Sequence, residues 1–501
     1  MTRAVRLFVF FILLVVGQGR ARAGEIFENE SRTGPKTTIR YALWGGATEV
    51  GYTRDICRGF VKAHPEIRVD VAVYPWNQYW SKMQTQAASG LAPDVWSLYS
   101  GNMGVWIARG ALRPLEDLVE STQLRLSDYH RAAVDNCTWD GRLYCMPMEI
   151  PVRTMVFALD RFEESGIPRD KWPRPGKAMT WEEFHALAKR LTLRRPDGSF
   201  AQYGMAARME WNMSMFLKDG GRFFDRMVNP TESVVRTDSA LERAMTEVYQ
   251  AQYGGRSILG MVPLSSGFFI SQDTILLSRK FAMSMTGPWA LPQLKEAGVR
   301  FGLTPLPRGT EPSQLIQVNA VGIYAHSKQV EAAWKFVRYM ASGPVQRIFG
   351  RRLKGVPALI EAQDALIEND LGIEGCEAFI KELEVARPYL MTASSYVPSA
   401  MEKWLLKTEQ MLQREYERRL DDLPRVEGRI PADEYARFVS GMETFVAETV
   451  QERLPLLDAE LTEAFARQQR PEPGRLVRFA LPVLFAVLIA GALVAYVGWV
   501  R

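Results

Sequence analysis

Residues 37–99 decide the fold, TTIRYALWGGATEVGYTRDICRGFVKAHPEIRVDVAVYPWNQYWSKMQTQAASGLAPDVWSLY. Residues 38–44 are a short apolar run that ends at a Gly-Gly pair. Residues 67–73 alternate apolar with other side chains, which is the period of a β-strand. Residues 94–99, which begin with the Asp of a Pro-Asp pair, are the third predicted strand. The stretch therefore contains three predicted strands.

Helices are predicted between these strands. Tyr52, Ile56 and Phe60 recur at four-residue spacing, as on one face of a helix. A second helix is predicted over residues 77–88, ending before Gly90. A β-α-β-α-β order predicts a parallel sheet with helices on both faces.

Ligands of such sheets gather at the carboxyl ends of the strands. Trp44, Trp76 and the pair Tyr99-Ser100 all fall at predicted strand ends. Their position, more than their residue type, makes them candidates for a binding site.

A second region of predicted helices and strands starts at about residue 151. Thr180 and Glu183 form the capping-box pattern at the start of a helix that runs to about residue 191. The other predicted elements are helices over 238–250 and 331–340 and strands over 281–285 and 318–324.

Residues 399–469 are helical in pattern and rich in charge, with interruptions expected near Pro424, Pro431 and Pro455. Their charged faces are interpreted as solvated surface. The alternative is a contact surface for a membrane partner.

The two ends of the chain have membrane-related patterns. Residues 1–23 read as a signal peptide, with an apolar run too short to span a bilayer and an Ala-Arg-Ala cleavage pattern; an uncleaved anchor is the alternative. Residues 479–500 carry no charge and would reach about 33 Å as a helix, which predicts one transmembrane span. Arg475 and Arg478 on the exported side depart from the positive-inside pattern.

Export permits disulfides. Cys137 and Cys145 flank a hairpin pattern that turns at Asp140-Gly141, and a three-residue loop there would place the two sulfurs opposite each other. Cys57 and Cys376 could pair, but small buried apolar residues are the preferred interpretation.

Several functional classes find little support in the sequence. The net charge of +5 over 501 residues is small, which argues against a nucleic-acid binder. The four histidines form no nucleophile–base pattern, and no Cys/His spacing indicates a metal. We therefore expect no catalytic residue, no metal and no cofactor.

Six segments, in order, resemble the sugar-type extracellular solute-binding proteins of ABC importers, the maltose- and glycerol-phosphate-binding kind. They cover much of residues 37–398, and the element SGLAPDV is the most specific of them. The six are FVKAHPEIRVDV (60–71), YPWNQYWSKMQTQAASGLAPDVW (74–96), GRLYCMPMEIP (141–151), TWEEFHALAKRLT (180–192), FAMSMTGPWALPQL (281–294) and SKQVEAAWKFVRYMASGPVQ (327–346). The sequence departs from the family pattern at Phe157-Ala158 and at residues 318–322, so ligand identity is not carried over.

The resemblance implies a two-lobed, periplasmic-binding-protein-like α/β fold with hinge crossovers. Lobe 1 would cover about 37–150 with returning segments and lobe 2 about 151–345, within a solute-binding domain of residues 24–398. A helical extension or stalk over 399–470 and the transmembrane helix would follow. The binding domain would lie on the periplasmic or extracellular side of the cell membrane.

A sugar site needs aromatic plates for C–H faces and polar groups for the rim of hydroxyls. Trp289, after the strand that ends in Gly-Pro, is the first choice for a plate, against a place in the core. Some other candidates have structural alternatives: Asp94 could fix a turn and Arg153 could form an interlobe ion pair. The remaining candidates are Trp44, Trp76, Glu149, Asn319 and Trp211, the last placed in a loop.

The sequence thus predicts a membrane-anchored solute-binding protein that delivers a sugar, or a polyol phosphate, to an ABC permease. One alternative is a sensory receptor that acts through a membrane partner. A carbohydrate-active enzyme is the other, because paired carboxylates cannot be recognised from sequence alone.

Overall fold

The structure is a computed structural model that describes residues 25–28, 36–207, 209–259, 272–311 and 313–469. For residues 47, 48, 209–211, 272–274 and 469 it describes the backbone alone. The predicted signal peptide (1–23) and transmembrane segment (479–500) lie outside these ranges. Within them, no helix has both the length and the apolar character needed to cross a bilayer.

Strands within the described ranges form two large sheets and two small ones. They are β1 (Glu25–Phe27), β2 (Thr37–Trp44), β3 (Ile67–Tyr74), β4 (Val95–Tyr99), β5 (Thr138–Trp139), β6 (Arg142–Leu143), β7 (Cys145–Ile150), β8 (Thr154–Ala158), β9 (Leu193–Arg194), β10 (Phe200–Ala206), β11 (Ile258–Leu259), β12 (Phe281–Thr286), β13 (Phe301–Thr304), β14 (Gln314–Ile316), β15 (Asn319–Ile323), β16 (Val356–Pro357) and β17 (Ala386–Pro388).

The helices pack on the faces of these sheets. They are α1 (Ala47–Ala63), α2 (Trp76–Ala88), α3 (Ser100–Ala108), α4 (Glu116–Ser121), α5 (Arg131–Asn136), α6 (Leu159–Glu164), α7 (Trp181–Leu191), α8 (Met209–Phe216), α9 (Ser239–Tyr253), α10 (Leu291–Glu296), α11 (Val330–Met340), α12 (Gly343–Arg351), α13 (Asp364–Ile367), α14 (Glu377–Leu383), α15 (Tyr396–Asp421) and α16 (Ala432–Gln469).

The first large sheet has the strand order β1-β3-β2-β4-β15-β7-β16. β2 runs parallel to β3 and β4, which confirms the predicted parallel β-α-β-α-β unit. The alternation predicted for β3 is present, because Ile67, Val69 and Val71 are buried. β15 enters between β4 and β7 and runs antiparallel to both.

The second large sheet has the order β11-β10-β12-β8-β13. The capping box predicted for α7 is present: the Glu183 N–H donates to Thr180 Oγ1 (3.2 Å), and the Thr180 N–H donates to Glu183 Oε2 (2.9 Å). A third, two-stranded sheet of β14 and β17 lies on the chain path between the large sheets. The architecture is therefore a two-lobed α/β fold with crossovers.

The predicted boundary of lobe 2 at about residue 345 is wrong for residues 319–340. β15 pairs within the first sheet, and α11 packs on β2 and β15 of that sheet. The sequence pattern could not assign β15 to a sheet, because the local sequence of a strand does not determine which sheet the strand joins. Only the long-range pairing of β15 with β4 assigns it to lobe 1.

The C-terminal helices α15 and α16 pack against each other, and α16 also packs on α9 beside the second sheet. One face of each is buried; Trp404, Leu412 and Tyr416 of α15 are fully buried. The interruption predicted near Pro455 is wrong, because α16 continues through it. Burial of Leu454 and Leu457 on either side offsets the hydrogen bond lost at the proline.

Candidate functional site

An aromatic cluster lies at the carboxyl ends of the parallel strands in the first sheet. We call Trp44, Trp76, Tyr79, Trp80 and Tyr99 the aromatic edge. Trp44 ends β2, Tyr99 ends β4 and Trp76 opens α2 directly after β3. The Trp44 ring centroid lies 5.1 Å from that of Trp76, and the Trp76 centroid lies 5.3 Å from that of Tyr99.

Trp76 is the member of the aromatic edge that faces solvent. It is 46 % exposed, whereas Tyr79 behind it is fully buried. The Tyr79 hydroxyl donates to the Ser97 carbonyl oxygen (2.7 Å), which fixes α2 to the sheet. The sequence correctly placed Trp44 and Trp76 at one edge, and the structure brings their rings into contact.

Asn319 and Glu149 extend this edge toward the crossover. Because β15 runs antiparallel to its neighbours, its first residue, Asn319, stands opposite both Tyr99 of β4 and Glu149 of β7. The Asn319 amide nitrogen donates to Glu149 Oε1. The chain before it is tied to the same edge, because Ser100 exchanges hydrogen bonds with Val318.

Glu149 is fully buried, and its environment disfavours the charged form. Burial raises the pKa of the Glu149 carboxyl to about 7, although Lys354 and the Asn319 amide act in the opposite direction. Among the described residues, its Oε2 atom has no hydrogen-bond partner. The carboxyl therefore supports the edge from below, and in this conformation it is not exposed to a ligand.

A narrow cavity lies beside the first crossover between the sheets. It holds about 350 Å³ of space free of atoms, part of it open to solvent. The second large sheet, helix α8, the first crossover and the region of the β14–β17 sheet contribute to its walls. The lining residues are Pro151, Arg153, Ser214, Met285, Gln314, Leu315, Gln317 and Tyr389.

Trp289 follows β12 of the second sheet and lies against the crossover. The Arg153 guanidinium stacks over its indole ring, 4.8 Å from the ring centroid. The ring also covers Gly287, where an added Cβ would lie 2.0 Å from Trp289 Cη2. A glycine at this position therefore lets the ring fold back, half-buried, beside Arg153 of the cavity wall.

Asp94 is not brought to the aromatic edge. Asp94 precedes β4, at the opposite end of the strand, where it accepts hydrogen bonds from the Arg40 N–H (2.9 Å) and from Ser327 Oγ (2.7 Å). These hydrogen bonds tie the start of β4 to β2 and to Ser327, which differs from the local turn named as the alternative to ligand contact. Trp211 lies in α8, so the predicted loop is wrong; its side chain is outside the described part of the structure.

The predicted disulfide between Cys137 and Cys145 is not formed in the structure, where both residues are buried free cysteines. The predicted three-residue loop is also wrong. Thr138 pairs with Leu143, so the turn has two residues, Asp140 and Gly141. Cys57 and Cys376 are buried and unpaired.

Some site residues were missed by the sequence analysis. Gln317 precedes Asn319 by two residues, and its amide lies near Gly101, next to Tyr99 of the aromatic edge. Its position two residues before the candidate Asn319 could have identified it from the sequence. Tyr389 reaches the cavity only because β17 pairs with β14, and no local pattern announces that pairing.

Within the described ranges, no group of three or more His, Cys, Asp or Glu side chains is placed so that it could hold a metal ion. The polar groups that the structure brings together are instead an amide, a guanidinium and a protonatable carboxyl. Beside indole faces, such groups can hydrogen-bond and stack on a small polar molecule.

Comparison with known proteins places this geometry in a family. The family model for the bacterial extracellular solute-binding protein matches residues 55–373. The galactooligosaccharide-binding protein of Bacillus subtilis (strain 168) is 22 % identical over 369 residues, which cover 72 % of this chain and 82 % of that protein. The maltotriose-binding protein of Pyrococcus abyssi is 23 % identical over 303 residues, covering 57 % of this chain and 59 % of that one.

Solved structures share the fold at low sequence identity. An ABC substrate-binding protein of Listeria monocytogenes in complex with cycloalternan has a TM-score of 0.62 and 19 % identity, covering 83 % of this chain and 99 % of that one. The sugar-binding protein MalE of Xanthomonas citri has a TM-score of 0.61 and 20 % identity, covering 84 % and 99 %. With the family model matched over most of both lobes, this chain belongs to the bacterial extracellular solute-binding proteins.

Proposed function

We propose that the protein captures a sugar or sugar-like solute outside the cytoplasmic membrane and delivers it to the permease of an ABC importer. The observation that carries this proposal is the aromatic edge. Its exposed member, Trp76, rests on Trp44 and Tyr99 at the strand ends where ligands of such sheets bind. Indole faces stack on the C–H faces of sugar rings, which favours a carbohydrate over a purely ionic ligand.

Polar groups for the sugar hydroxyls lie near the crossover. Gln317 and Arg153 line the cavity, and Asn319 lies two residues beyond Gln317. Amide and guanidinium groups can each donate more than one hydrogen bond to neighbouring hydroxyls. Trp289, beside Arg153, offers a second indole from the other sheet.

Lobe closure would couple binding to delivery. A ligand that touches the aromatic edge and the Trp289–Arg153 pair at once binds the closed arrangement better than an open one, and that difference in affinity shifts the population. The closed shape is then what a permease can distinguish. The ligands in the names of the similar proteins, a galactooligosaccharide, maltotriose and cycloalternan, support a carbohydrate as the solute.

The membrane location of the binding body belongs to the same proposal. Residues 1–23 would direct export, and residues 479–500 would anchor the chain in the cell membrane with the lobes outside. The α15–α16 pair would then stand between the binding lobes and the anchor.

A thermal-shift screen of the full chain against mono- and oligosaccharides, sugar acids and polyol phosphates tests this function. A ligand at about 100 times its Kd stabilises the folded state by about 2.7 kcal/mol, which a melting curve resolves. We expect at least one carbohydrate to raise Tm, and Trp76→Ala and Trp289→Ala each to reduce that shift.

Tyr396→Ala, an exposed aromatic on α15 and 42 % accessible, is the matched control and should leave the shift unchanged. If no carbohydrate raises Tm while a sugar acid or polyol phosphate does, the solute class is wrong. Conversion of the ligand to products during incubation would favour the enzyme alternative.

A further inference from the structure

Helix α15 turns one face toward the second sheet, and that face carries polar groups as well as apolar ones. Glu409, Gln413 and Tyr416 lie on it at intervals of four and three residues, the spacing of one helical face. Glu409 is 4 % exposed and Tyr416 is fully buried. A buried carboxyl needs hydrogen-bond donors to offset the loss of water, so the partners of Glu409 indicate which element this face holds.

A hydrogen-bond chain that includes Glu409 joins three helices. Gln252 Nε2 of α9 donates to Asn212 Oδ1 of α8 (2.7 Å), and Asn212 Nδ2 donates to Glu409 Oε1 of α15 (2.8 Å). The Gln252 and Asn212 side chains are both buried. The Tyr253 hydroxyl of α9 donates to the other carboxyl oxygen, Glu409 Oε2 (3.5 Å). The chain therefore ties α8 to both of its helical neighbours.

The carboxyl group sets the direction of this chain. A carboxylate only accepts hydrogen bonds, whereas an amide side chain has one accepting and one donating end. Glu409 therefore receives the NH₂ end of Asn212, which leaves the Asn212 carbonyl oxygen for the Gln252 amide. Each amide is thus held in one orientation, and α8 is fixed against α9 and α15 at a defined position.

The opposite face of α8 forms part of the cavity wall, where Ser214 lies. Ser214 follows Asn212 by two residues, which is about 200° around a helix, so the two side chains point to opposite sides of α8. The helix also packs on β14, whose Gln314 and Leu315 line the same cavity. A shift of α8 at Asn212 would therefore move the cavity wall at Ser214.

Thr408, the neighbour of Glu409 in the chain, is also fully buried but leads to a different element. Its hydroxyl accepts a hydrogen bond from Arg453 Nε of α16 (2.7 Å) and donates to the Trp404 carbonyl oxygen (2.9 Å). These contacts join α15 to α16 and not to α8. Thr408 is therefore a control for buried polar contacts of α15 that do not act on the cavity.

We infer that Glu409 is a positioning residue for the solute site: through Asn212 it holds α8 in place, and with α8 the cavity wall at Ser214. The C-terminal helices are then part of the binding lobe as well as the connection toward the proposed anchor. The inference rests on the proposed binding of a solute at this cavity. It does not depend on which carbohydrate binds.

Hydrogen–deuterium exchange of the full chain without ligand tests the contact between Glu409 and α8. We expect Glu409→Ala to raise the exchange rate of the α8 amides at least about 10-fold relative to the β12 amides, which report global unfolding. Thr408→Val removes a buried hydroxyl one residue away and should leave that ratio within about 3-fold of wild type. An equal ratio in the two variants would show that Glu409 does not hold α8.

Affinity for maltotriose, and for the carbohydrate that most raises Tm in the screen, tests the consequence at the cavity. Glu409→Ala should weaken binding at least about 10-fold, whereas Glu409→Gln, which keeps an acceptor for Asn212, should stay within about 3-fold of wild type. Thr408→Val should also retain the wild-type affinity.

Asn212→Ala removes the same contact from the other side, so the test does not depend on the folding of one variant. It should weaken binding as Glu409→Ala does, and the double variant should lose no more than either, because both act through one contact. Unchanged affinity in Glu409→Ala, or losses that add in the double variant, would overturn the inference. A wild type that binds no carbohydrate would instead refute the proposed function, and the exchange of α8 would still decide whether Glu409 holds that helix.

Discussion

Replacing Glu149 by glutamine tests whether burial of its carboxyl raises the pKa and makes the stability of the protein depend on pH. Burial raises the pKa of Glu149 from 4.5 to about 7. Below pH 4.5 Glu149 is protonated in both the folded and the unfolded chain, so its raised pKa does not reduce the free energy of unfolding. Between pH 4.5 and 7 the unfolded chain releases the proton first, so the free energy of unfolding falls as pH rises.

The magnitude follows from the shift itself. A difference of about 2.5 pKa units corresponds to about 3 kcal/mol. The free energy of unfolding of the wild type is lower by this amount above pH 7 than below pH 4.5. Glu149→Gln keeps the shape and the acceptor for the Asn319 amide but cannot ionise. We therefore expect the variant to gain about 3 kcal/mol relative to wild type between pH 5 and pH 8.

The assay is urea unfolding of both proteins at pH 5, 6, 7 and 8, read as the difference in unfolding free energy at each pH. Other titrating groups, including the buried Glu382, are common to both proteins and cancel in that difference. Glu402→Gln, exposed on α15, is the matched control and should give a pH-independent difference. If the Glu149→Gln difference is also constant with pH, Glu149 ionises as an ordinary surface glutamate and the reasoning fails.

Three further substitutions test how other contacts hold the fold and the site. Trp404→Ala should cost about 3–5 kcal/mol in urea unfolding because it empties a fully buried site, whereas Leu406→Ala, 44 % exposed on the same helix, should cost less than about 1 kcal/mol. Gly287→Ala should change the near-UV circular dichroism and weaken carbohydrate binding, because its Cβ would displace the Trp289 ring; unchanged spectra and affinity would contradict the packing described. Asp94→Ala should lower the free energy of unfolding by about 1–3 kcal/mol, because it leaves the Arg40 N–H without its acceptor, and it should leave carbohydrate affinity unchanged. A loss of affinity without a loss of stability would show instead that Asp94 contacts the ligand.

Much of the site could be anticipated wherever a residue lies at the end of a strand whose direction the sequence reveals. Trp44 and Trp76 follow this rule, because a β-α-β unit forces its strands to be parallel and puts their carboxyl ends together. Glu149 and Asn319 were also candidates from the sequence, but their mutual hydrogen bond depends on the pairing of β15 with β7.

Other parts could not be anticipated from local patterns. Tyr389 reaches the cavity through the pairing of β17 with β14, strands about 70 residues apart in the chain. The charges of α15 and α16 suggested solvated helices, although each helix needs only one apolar face to pack on the second half. The register of the Cys137–Cys145 hairpin was off by one residue, since a two-residue and a three-residue turn share the same Asp-Gly signal.

The sequence by itself determined the α/β class, the parallel strands of the first sheet and the location of two tryptophans at their carboxyl ends, because hydrophobic period and chain direction are local properties. Only the tertiary structure decided which sheet receives β15 and that the Glu149 carboxyl is buried next to Asn319. These depend on contacts between segments far apart in the chain, whose burial contributes to stability only after the segments have come together.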